Sequence, residues 1–554
     1  MGRIYKESGS AIGWLGNASD DDSDGDVQGQ TGHEAIDFLH VLVENSSRLQ
    51  SPHSSEQEKA VLGLEDRTKW AAVERLLLRP RWRQVWTLQE YIISPHFVFY
   101  CGAKSISRHT FRIALLAIIW CRRFDGTLIA MQAVQSAWNR RRIYHWYKHG
   151  YQMSLLGLIA FGSDSSATDP RDRIYALLEL TKDRELIPKL DYNAEVSEIY
   201  SKLVKSFVET NKSLDIICFT HLFNHLSDGE PALQTTLPSW VPDWRIPTEA
   251  FVVPVMASQS ARPHIGNFRP LENIPLGDYP AFYASAGTTL PDIRFSDDLQ
   301  LLSCKGILVD YVDGIGGLKL ARRDWAGSTE YHWEAHDCVN STSPTNNPRG
   351  TPLGANLRSQ DMIHPSTSNA ALEEVICCLM LGREDRYLSR RVTPHHFYWD
   401  FKVLYQAATR NPASVPSQTV DWLQLNRFLF IRGHTLEEFC ESAGTDNGSP
   451  GRAADVDISD TNIFLSRCNE TTGRMARRLI TTNEGHIGMG PCRVRKGDRI
   501  CVLLGCSIPL ILRPREGQPS YQVVGECYLH GFMDGEVLKE LESGKFKIEE
   551  FHLS

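Results

Sequence analysis

The C-terminal stretch constrains the fold more than any other part of this chain. Five short apolar runs, Leu479–Thr482, His486–Met489, Arg499–Leu504, Leu510–Leu512 and Gln522–Leu529, follow one another closely. Glu484-Gly485, Lys496-Gly497-Asp498 and the segment from Arg513-Pro514 to Pro519 separate them with residues that turn a chain. Short apolar runs broken by turn chemistry predict strands, and their spacing predicts a small antiparallel sheet or a partly closed barrel. No internal repeat is apparent.

Upstream the signals are mixed. Residues 1–16 read as the end of a helix followed by a buried strand, Ala11 to Gly16, with an acidic loop from Asn17 to Gln30 after it. Ile36, Leu39, Leu42 and Val43 fall at helical spacing within 34–49. Trp70, Val73, Leu76 and Leu77 mark a helix ending near Pro80, and Trp82, Val85, Trp86, Gln89 and Ile93 the stripe of a second. Phe97 to Gly102 reads as a strand and Thr110 to Cys121 as an apolar helix. Asp169-Pro170 is a helix start, with Asp as the cap and Pro at the first position. Val196, Ile199, Tyr200, Leu203, Val204, Phe207 and Val208 recur every three or four residues, the stripe of an amphipathic helix. From 250 to 365 the chain is rich in Pro, Ser, Gly and Asn and reads as loops, with strand candidates at Leu299–Cys304 and Ile307–Val309. A helix is expected over Leu372–Leu381.

Composition narrows the class. The chain has 554 residues, 42% hydrophobic and 23% charged, enough to bury a sizeable core. That length is a soft prior of about three to four domains. A net charge of −8 gives no broad basic field, which argues against nucleic acid as a partner. The longest apolar runs, Ile113–Cys121 and Ile500–Leu512, fall short of the roughly 20 residues needed to span a bilayer. The first residues turn polar before a signal sequence could form. The 13 cysteines show no repeating spacing and no zinc-ligand pattern, so reduced, mostly buried thiols in an intracellular protein are expected. Neither a metal nor a cofactor is expected.

Several residues invite chemistry. Asp20, Asp22, Asp24 and Gly25 match the first half of a calcium loop, but its twelfth position is Thr31, so an acidic surface loop is the better reading. Glu90 is the best lone carboxylate, a weak catalytic candidate: buried beside two tryptophans, it could carry a raised pKa. The plainer alternative has Gln89 and Glu90 hydrogen-bonding a neighbouring loop or helix end. Asp169, Arg171, Asp172 and Arg173 form a charge cluster, read as an anion site or, better, as a clamp in which an Arg meets Asp243 or Glu90. Trp240, Pro242 and Trp244 could stack a ligand ring, but such a run more often packs an extended segment on a core. Strand alternation puts Glu526 and His530 on one face and Cys527 on the other, against a Cys–His pair. No phosphate-loop, dinucleotide or serine-hydrolase fingerprint is present.

Four blocks resemble fungal heterokaryon-incompatibility (HET) domain proteins. They are Met1-Gly2-Arg3-Ile4-Tyr5 through Trp14-Leu15-Gly16; Arg81 to Glu90, containing Trp86, Gln89 and Glu90; the pair Thr168-Asp169-Pro170-Arg171-Asp172-Arg173-Ile174-Tyr175-Ala176-Leu177-Leu178 and Leu237-Pro238-Ser239-Trp240-Val241-Pro242-Asp243-Trp244; and the C-terminal run from Gly485 to Glu536, with Gly525, Glu526, Gly531, Asp534 and Gly535. Gln84 stands where the family often has Arg. The blocks that family members carry upstream, a strand ending in a Tyr-x-Trp-Gly-like motif and a Trp-Ile-Asp block, are absent. The resemblance implies an α/β plus α+β protein with a partial, TIR-like α/β remnant. Residues 1–125 would be the C-terminal half of the HET domain and 126–250 a helical region. A loop-rich variable segment would follow at 251–370, then a C-terminal module at 371–554 ending in a small β-sheet or barrel. It also implies a cytoplasmic protein of nonself recognition and programmed cell death, acting through a protein partner or self-assembly. A TIR-like NAD hydrolase and an inactive truncated fragment are the alternatives.

Overall fold

The computed structural model describes residues 2–18, 31–49, 64–125, 127–150, 153–162, 165–223, 237–246, 256, 283–323, 331–348, 365–384, 393–442, 462–474 and 476–554. Contacts divide the chain into two compact units, Met1–Asn193 and Ala194–Ser554. The calcium-like loop of Asp20 to Gly25 lies outside the described residues.

The first unit opens with a helix, Gly2–Glu7, and strand β1, Ala11–Trp14. Strand β2, Phe97–Cys101, pairs parallel with β1, Ala11 opposite Phe97, and antiparallel with β3, Lys104–Ser107. Phe97, Phe99 and Cys101 of β2 are buried and the residues between them half-buried, the period of a strand. A parallel pair needs a long crossover, supplied here by the helices Thr31–Glu44 and Arg67–Leu78. Asp66 caps the second by accepting from Thr68 N at 3.0 Å. Trp70, Val73, Leu76 and Leu77 are buried along it, as their spacing predicts.

The stripe from Trp82 to Ile93 is not one helix. A single 3₁₀ turn, Pro80–Arg83, precedes an extended Gln84, and the α-helix begins only at Thr87. Gln84 bridges Ser166 in parallel, and Val85 N donates to Ser166 O at 3.0 Å. Gln84 keeps only 3₁₀-type bonds, its N to Arg81 O at 3.2 Å and its O from Thr87 N at 3.3 Å, while Arg83 O and Val85 N turn to Ser166 and are lost to an α-helical ladder. Trp82 is still buried, stacked on Phe111 at 5.1 Å. The helices Arg108–Phe124, capped by Ser107, Met131–Lys148 and Leu155–Phe161 complete the core.

In the second unit the amphipathic stripe forms the helix Val196–Asn211, with Ile199, Tyr200, Leu203, Val204, Phe207 and Val208 buried. The main sheet collects β4, Ile293–Phe295, and β5, Leu302–Ile315. Two short pieces stand apart from it: the hairpin of β6, Leu318–Arg323, with β7, Tyr331–His336, and the pair of two-residue strands β8, Phe430–Ile431, and β9, His434–Thr435. The remaining strands are β10, Arg478–Thr482; β11, Ile487–Gly490; β12, Arg499–Leu503; β13, Leu510–Pro514; β14, Tyr521–Glu526; β15, Tyr528–Leu529; and β16, Ile548–Leu553.

The sheet closes on itself. β12 pairs β13, β13 pairs β14, β14 meets β16 in parallel at Tyr521 and Leu553, β16 pairs β5, and β5 returns to β12. β10, β11 and β15 extend it from the far end of β5. The two separate strand candidates near 299–309 are therefore one 14-residue strand, lying in a stretch read from composition as loops. β5 is long because it serves four neighbours, with Ile293 of β4 opposite Cys304, Leu553 opposite Leu302, Val502 opposite Ile307 and Ile480 opposite Ile315. Register shifts at Ile500/Cys501 and Ile511/Leu512 mark bulges that bend the strands enough to close. Gly306 allows the β5–β12 approach: a Cβ there would lie 2.9 Å from Val502 O. Ile307, Val309, Ile500, Val502, Ile511 and Val524 share the interior. Among the described residues no helix is long and apolar enough to cross a membrane.

Candidate functional site

The first unit brings together motif residues that lie far apart in sequence. Trp86 Nε1 donates to Asp172 Oδ2 at 3.0 Å, and the Tyr192 hydroxyl donates to Asp172 Oδ1 at 2.7 Å. Gln89 Nε2 donates to the Ala176 carbonyl at 2.7 Å, deep in the unit. Glu90, half-buried on the same helix, forms an ion pair with Arg81 and accepts from the Tyr5 hydroxyl at 3.2 Å. Burial raises the Tyr5 pKa, and the Glu90 charge raises it further.

Asp169 accepts from Arg171 N at 3.0 Å and from Arg171 Nε at 2.8 Å. The chain turns at Pro170 with bonds to residues three back, Arg173 N to Pro170 O at 3.2 Å, before a single α-turn at Asp172–Tyr175. Tyr175 fixes the following loop through Asp191 O at 3.1 Å. Within the first unit Glu90 takes Arg81, and Arg171 takes Asp169, as ion-pair partner. In the second unit Arg245 pairs with Asp243. Trp14 is exposed on β1, and Gly16 follows it beside Arg79, whose Nη1 holds the Leu15 and Asn17 carbonyls at 2.8 and 2.9 Å.

In the second unit Ser239 stitches the segment carrying Trp240, Pro242 and Trp244 to the barrel. Its hydroxyl donates to Ser554 O at 2.6 Å and accepts from Val523 N at 2.9 Å. Trp240 packs beside Phe295 of β4 and Trp244 edge-on to Tyr200, at ring separations of 5.5 and 5.0 Å. Gly531 and Gly535 occupy left-handed turns, and Asp534 N donates to Glu536 Oε2 at 2.6 Å to begin the last helix.

Glu526 is the most deeply buried of the motif carboxylates. It is fully buried in an ion pair with Arg477, itself fully buried, and its Oε1 accepts from Met256 N at 3.0 Å. Arg477 Nη1 also donates to the Glu526 carbonyl at 3.1 Å. His221 Nε2 lies 3.9 Å from Glu526 Oε1, close enough to suggest a second ion pair. The ring is better read as neutral. Burial first, and then the Arg477 charge, push its pKa down to about 3, while Nδ1 lies 2.8 Å from the Cys218 carbonyl. Gly525 makes room for this ring: its φ is 150°, and a Cβ there would lie 2.5 Å from His221 Cβ. Strict alternation fails just beyond, because β14 ends at Glu526 and Cys527 N turns to Pro509 O at 2.8 Å. Glu526 and Cys527 are therefore both buried. Sequence reasoning singled out Glu526 but missed its partner, since nothing in the spacing links Arg477 to it.

Asp215, Cys218 and Cys506 place one ligand atom each within 4.8 Å of one another. Both Asp215 oxygens already accept from Ser507, N at 2.6 Å and Oγ at 2.9 Å, and burial raises the Cys218 thiol well above its usual pKa. An engaged carboxylate and a Cys218 thiol held protonated by burial suit a buried joint better than a metal. All 13 cysteines are free, eleven of them buried.

Comparison with known proteins adds two findings. Residues 446–549 match the Het-6 beta-barrel domain. Over 591 aligned positions the chain is 22% identical to heterokaryon incompatibility protein 6, OR allele, of Neurospora crassa, covering 99% of this chain and 79% of that protein. No solved structure matches.

Proposed function

Starting from a HET domain-containing protein of the fungal heterokaryon-incompatibility family, as both matches support, we propose that it acts in nonself recognition as a cytoplasmic signalling or interaction protein. Contact with a protein partner, or with further copies of itself, would lead to fungal programmed cell death. The observation that carries this reading is the state of the motif carboxylates. Glu90, Asp169, Asp172 and Glu526 each meet an Arg, Tyr or Trp side chain of their own unit. Groups so engaged hold a scaffold; a general acid or base needs a free face toward substrate. The parallel β1–β2 pair with its helical crossover supports an α/β, TIR-like reading of the first unit.

Regulated overexpression in fungal cells tests the proposal. Growth arrest is the expected result, and normal growth of cells holding the folded chain counts against it. One observation favours an enzyme as second reading: Glu90 is only partly covered and sits beside Tyr5. NAD consumption by the purified chain above that of Glu90→Ala supports the hydrolase, and equal rates remove it. A chain that neither arrests growth nor turns over NAD fits an inactive fragment.

A further inference from the structure

Three arginines of the first unit converge without a carboxylate. Arg108, the first residue of its helix, is buried and donates to three carbonyls, Tyr91 O at 2.5 Å, Ser94 O at 2.9 Å and Pro95 O at 2.9 Å. Arg112 lies one turn along the same helix. Both guanidiniums approach the Tyr144 ring, at 4.1 and 4.8 Å from its centroid. Arg141 comes from the neighbouring helix, with Nε donating to Arg112 O at 3.2 Å and its guanidinium 4.8 Å from the Trp138 ring. Among the described residues none of the three makes an ion pair with a carboxylate.

The cluster is rich in donors and short of acceptors. The Arg112 Nε is buried with no hydrogen-bond partner. The Tyr91 hydroxyl is likewise buried and unpartnered, on a side chain only 2% exposed. The Tyr91 ring lies 5.8 Å from the Arg108 guanidinium and 5.8 Å from the Tyr144 ring that Arg108 and Arg112 both approach. Its pKa, raised by burial, is pulled back by the Arg112, Arg108 and Arg141 charges. Burial and then the Arg112 charge lower the Arg141 pKa to about 10, so the two guanidiniums repel. Unmet buried donors beside like charges are costly to keep. What would relieve both costs is a small anion with several acceptor oxygens. Planar guanidinium forks match phosphate oxygens well.

We propose that Arg108, Arg112 and Arg141, with Tyr91 and Tyr144, form a binding site for a phosphate group carried by a small soluble molecule. Arg112 and Arg141 supply the N–H groups that face the anion. The Tyr91 hydroxyl donates to a third oxygen. Arg108, tied to three carbonyls, contributes charge and holds the Tyr144 ring in place.

The test is calorimetric titration of the full chain with inorganic phosphate at constant ionic strength, against sodium chloride as control, with thermal unfolding in parallel. Saturable binding and a rise in midpoint are expected with phosphate and not with chloride. Arg112→Gln and Arg141→Gln should each weaken binding at least tenfold. Without phosphate Arg112→Gln should unfold no lower than the native chain, because it removes a repulsion and a buried donor that has no partner. Tyr91→Phe keeps the ring and the packing and should also weaken binding, so it carries the test if an arginine variant fails to fold. Absence of saturable phosphate binding, or native affinity in Tyr91→Phe and either folded arginine variant, overturns the site. Sedimentation with phosphatidylcholine vesicles containing phosphatidic acid, in a chain that ignores free phosphate, overturns the soluble ligand in favour of a lipid headgroup.

Discussion

Each unit contains an Arg–Glu pair whose Glu lies in a motif region, and the two pairs sit in opposite surroundings. Arg81–Glu90 in the first unit leaves about a fifth of each side chain exposed, at 18% and 21%. Arg477–Glu526 in the second leaves 0% of either. Water screens the first pair and absorbs the loss of either partner. Nothing screens the second, and its members are also tied to the Met256 amide and the Glu526 carbonyl. The same chemistry is therefore adjustable in one unit and fixed in the other.

The largest effect should come from breaking the fixed pair. Arg477→Met leaves the Glu526 carboxylate buried without its cation and should cost about 3–5 kcal/mol. Urea unfolding of the barrel's intrinsic fluorescence measures it. A cost below about 1 kcal/mol would show that water reaches Glu526 and that the contrast between the pairs is empty.

The neutral His221 beside that pair sharpens the contrast through pH. In the unfolded chain histidine titrates near its ordinary value, about 6.5. In the folded chain burial, and then the Arg477 charge, hold the ring neutral down to about 3. Between those values the unfolded state binds a proton that the folded state refuses. Stability therefore falls as pH drops through this window, by about 1.4 kcal/mol per pH unit, and is level in this term above it. Urea midpoints between pH 7 and pH 4 should fall less steeply, by close to one proton, in His221→Leu. An unchanged slope would mean that the ring is protonated in the fold and does pair with Glu526.

How much of this was legible follows the range of the interactions. The barrel strands from 478 to 529 were visible because apolar runs and turn residues alternate locally. β5 was visible only as two separate strand candidates, because three of its four partners lie more than 160 residues downstream and its surroundings read as loop. The helix Arg67–Leu78 was visible from its spacing. The break at Gln84 was not, because a bridge to Ser166, 82 residues on, causes it. Glu90 and Glu526 stood out as carboxylates within motifs. Arg81 was in view beside Glu90, but Arg477 came from outside any motif. The arginine cluster had no sequence signal, since three cations scattered over two helices look like ordinary solvated charge.

Gln89 tests the interior of the first unit, where water is again excluded. Its Nε2 donates to the Ala176 carbonyl and joins two motif blocks 87 residues apart. Gln89→Leu fills the space but strands that carbonyl, at a cost of about 1–3 kcal/mol. Thermal unfolding should show the loss, and hydrogen exchange should place it in the segment around Ala176. A loss spread evenly over the chain would mean that the amide does not join these blocks.

The smallest effect belongs to Glu90. In Glu90→Gln the ion pair with Arg81 is lost, but the amide oxygen can still accept from Arg81 and Tyr5. Partly exposed pairs contribute about 0.2–1 kcal/mol, and salt weakens them further. The variant should therefore unfold within about 1 kcal/mol of the native chain, and the difference should shrink at high salt. A cost approaching that of Arg477→Met, insensitive to salt, would show that Glu90 is as sequestered as Glu526. The two pairs would then be one kind of joint, and the adjustable site would have to be sought elsewhere in the first unit.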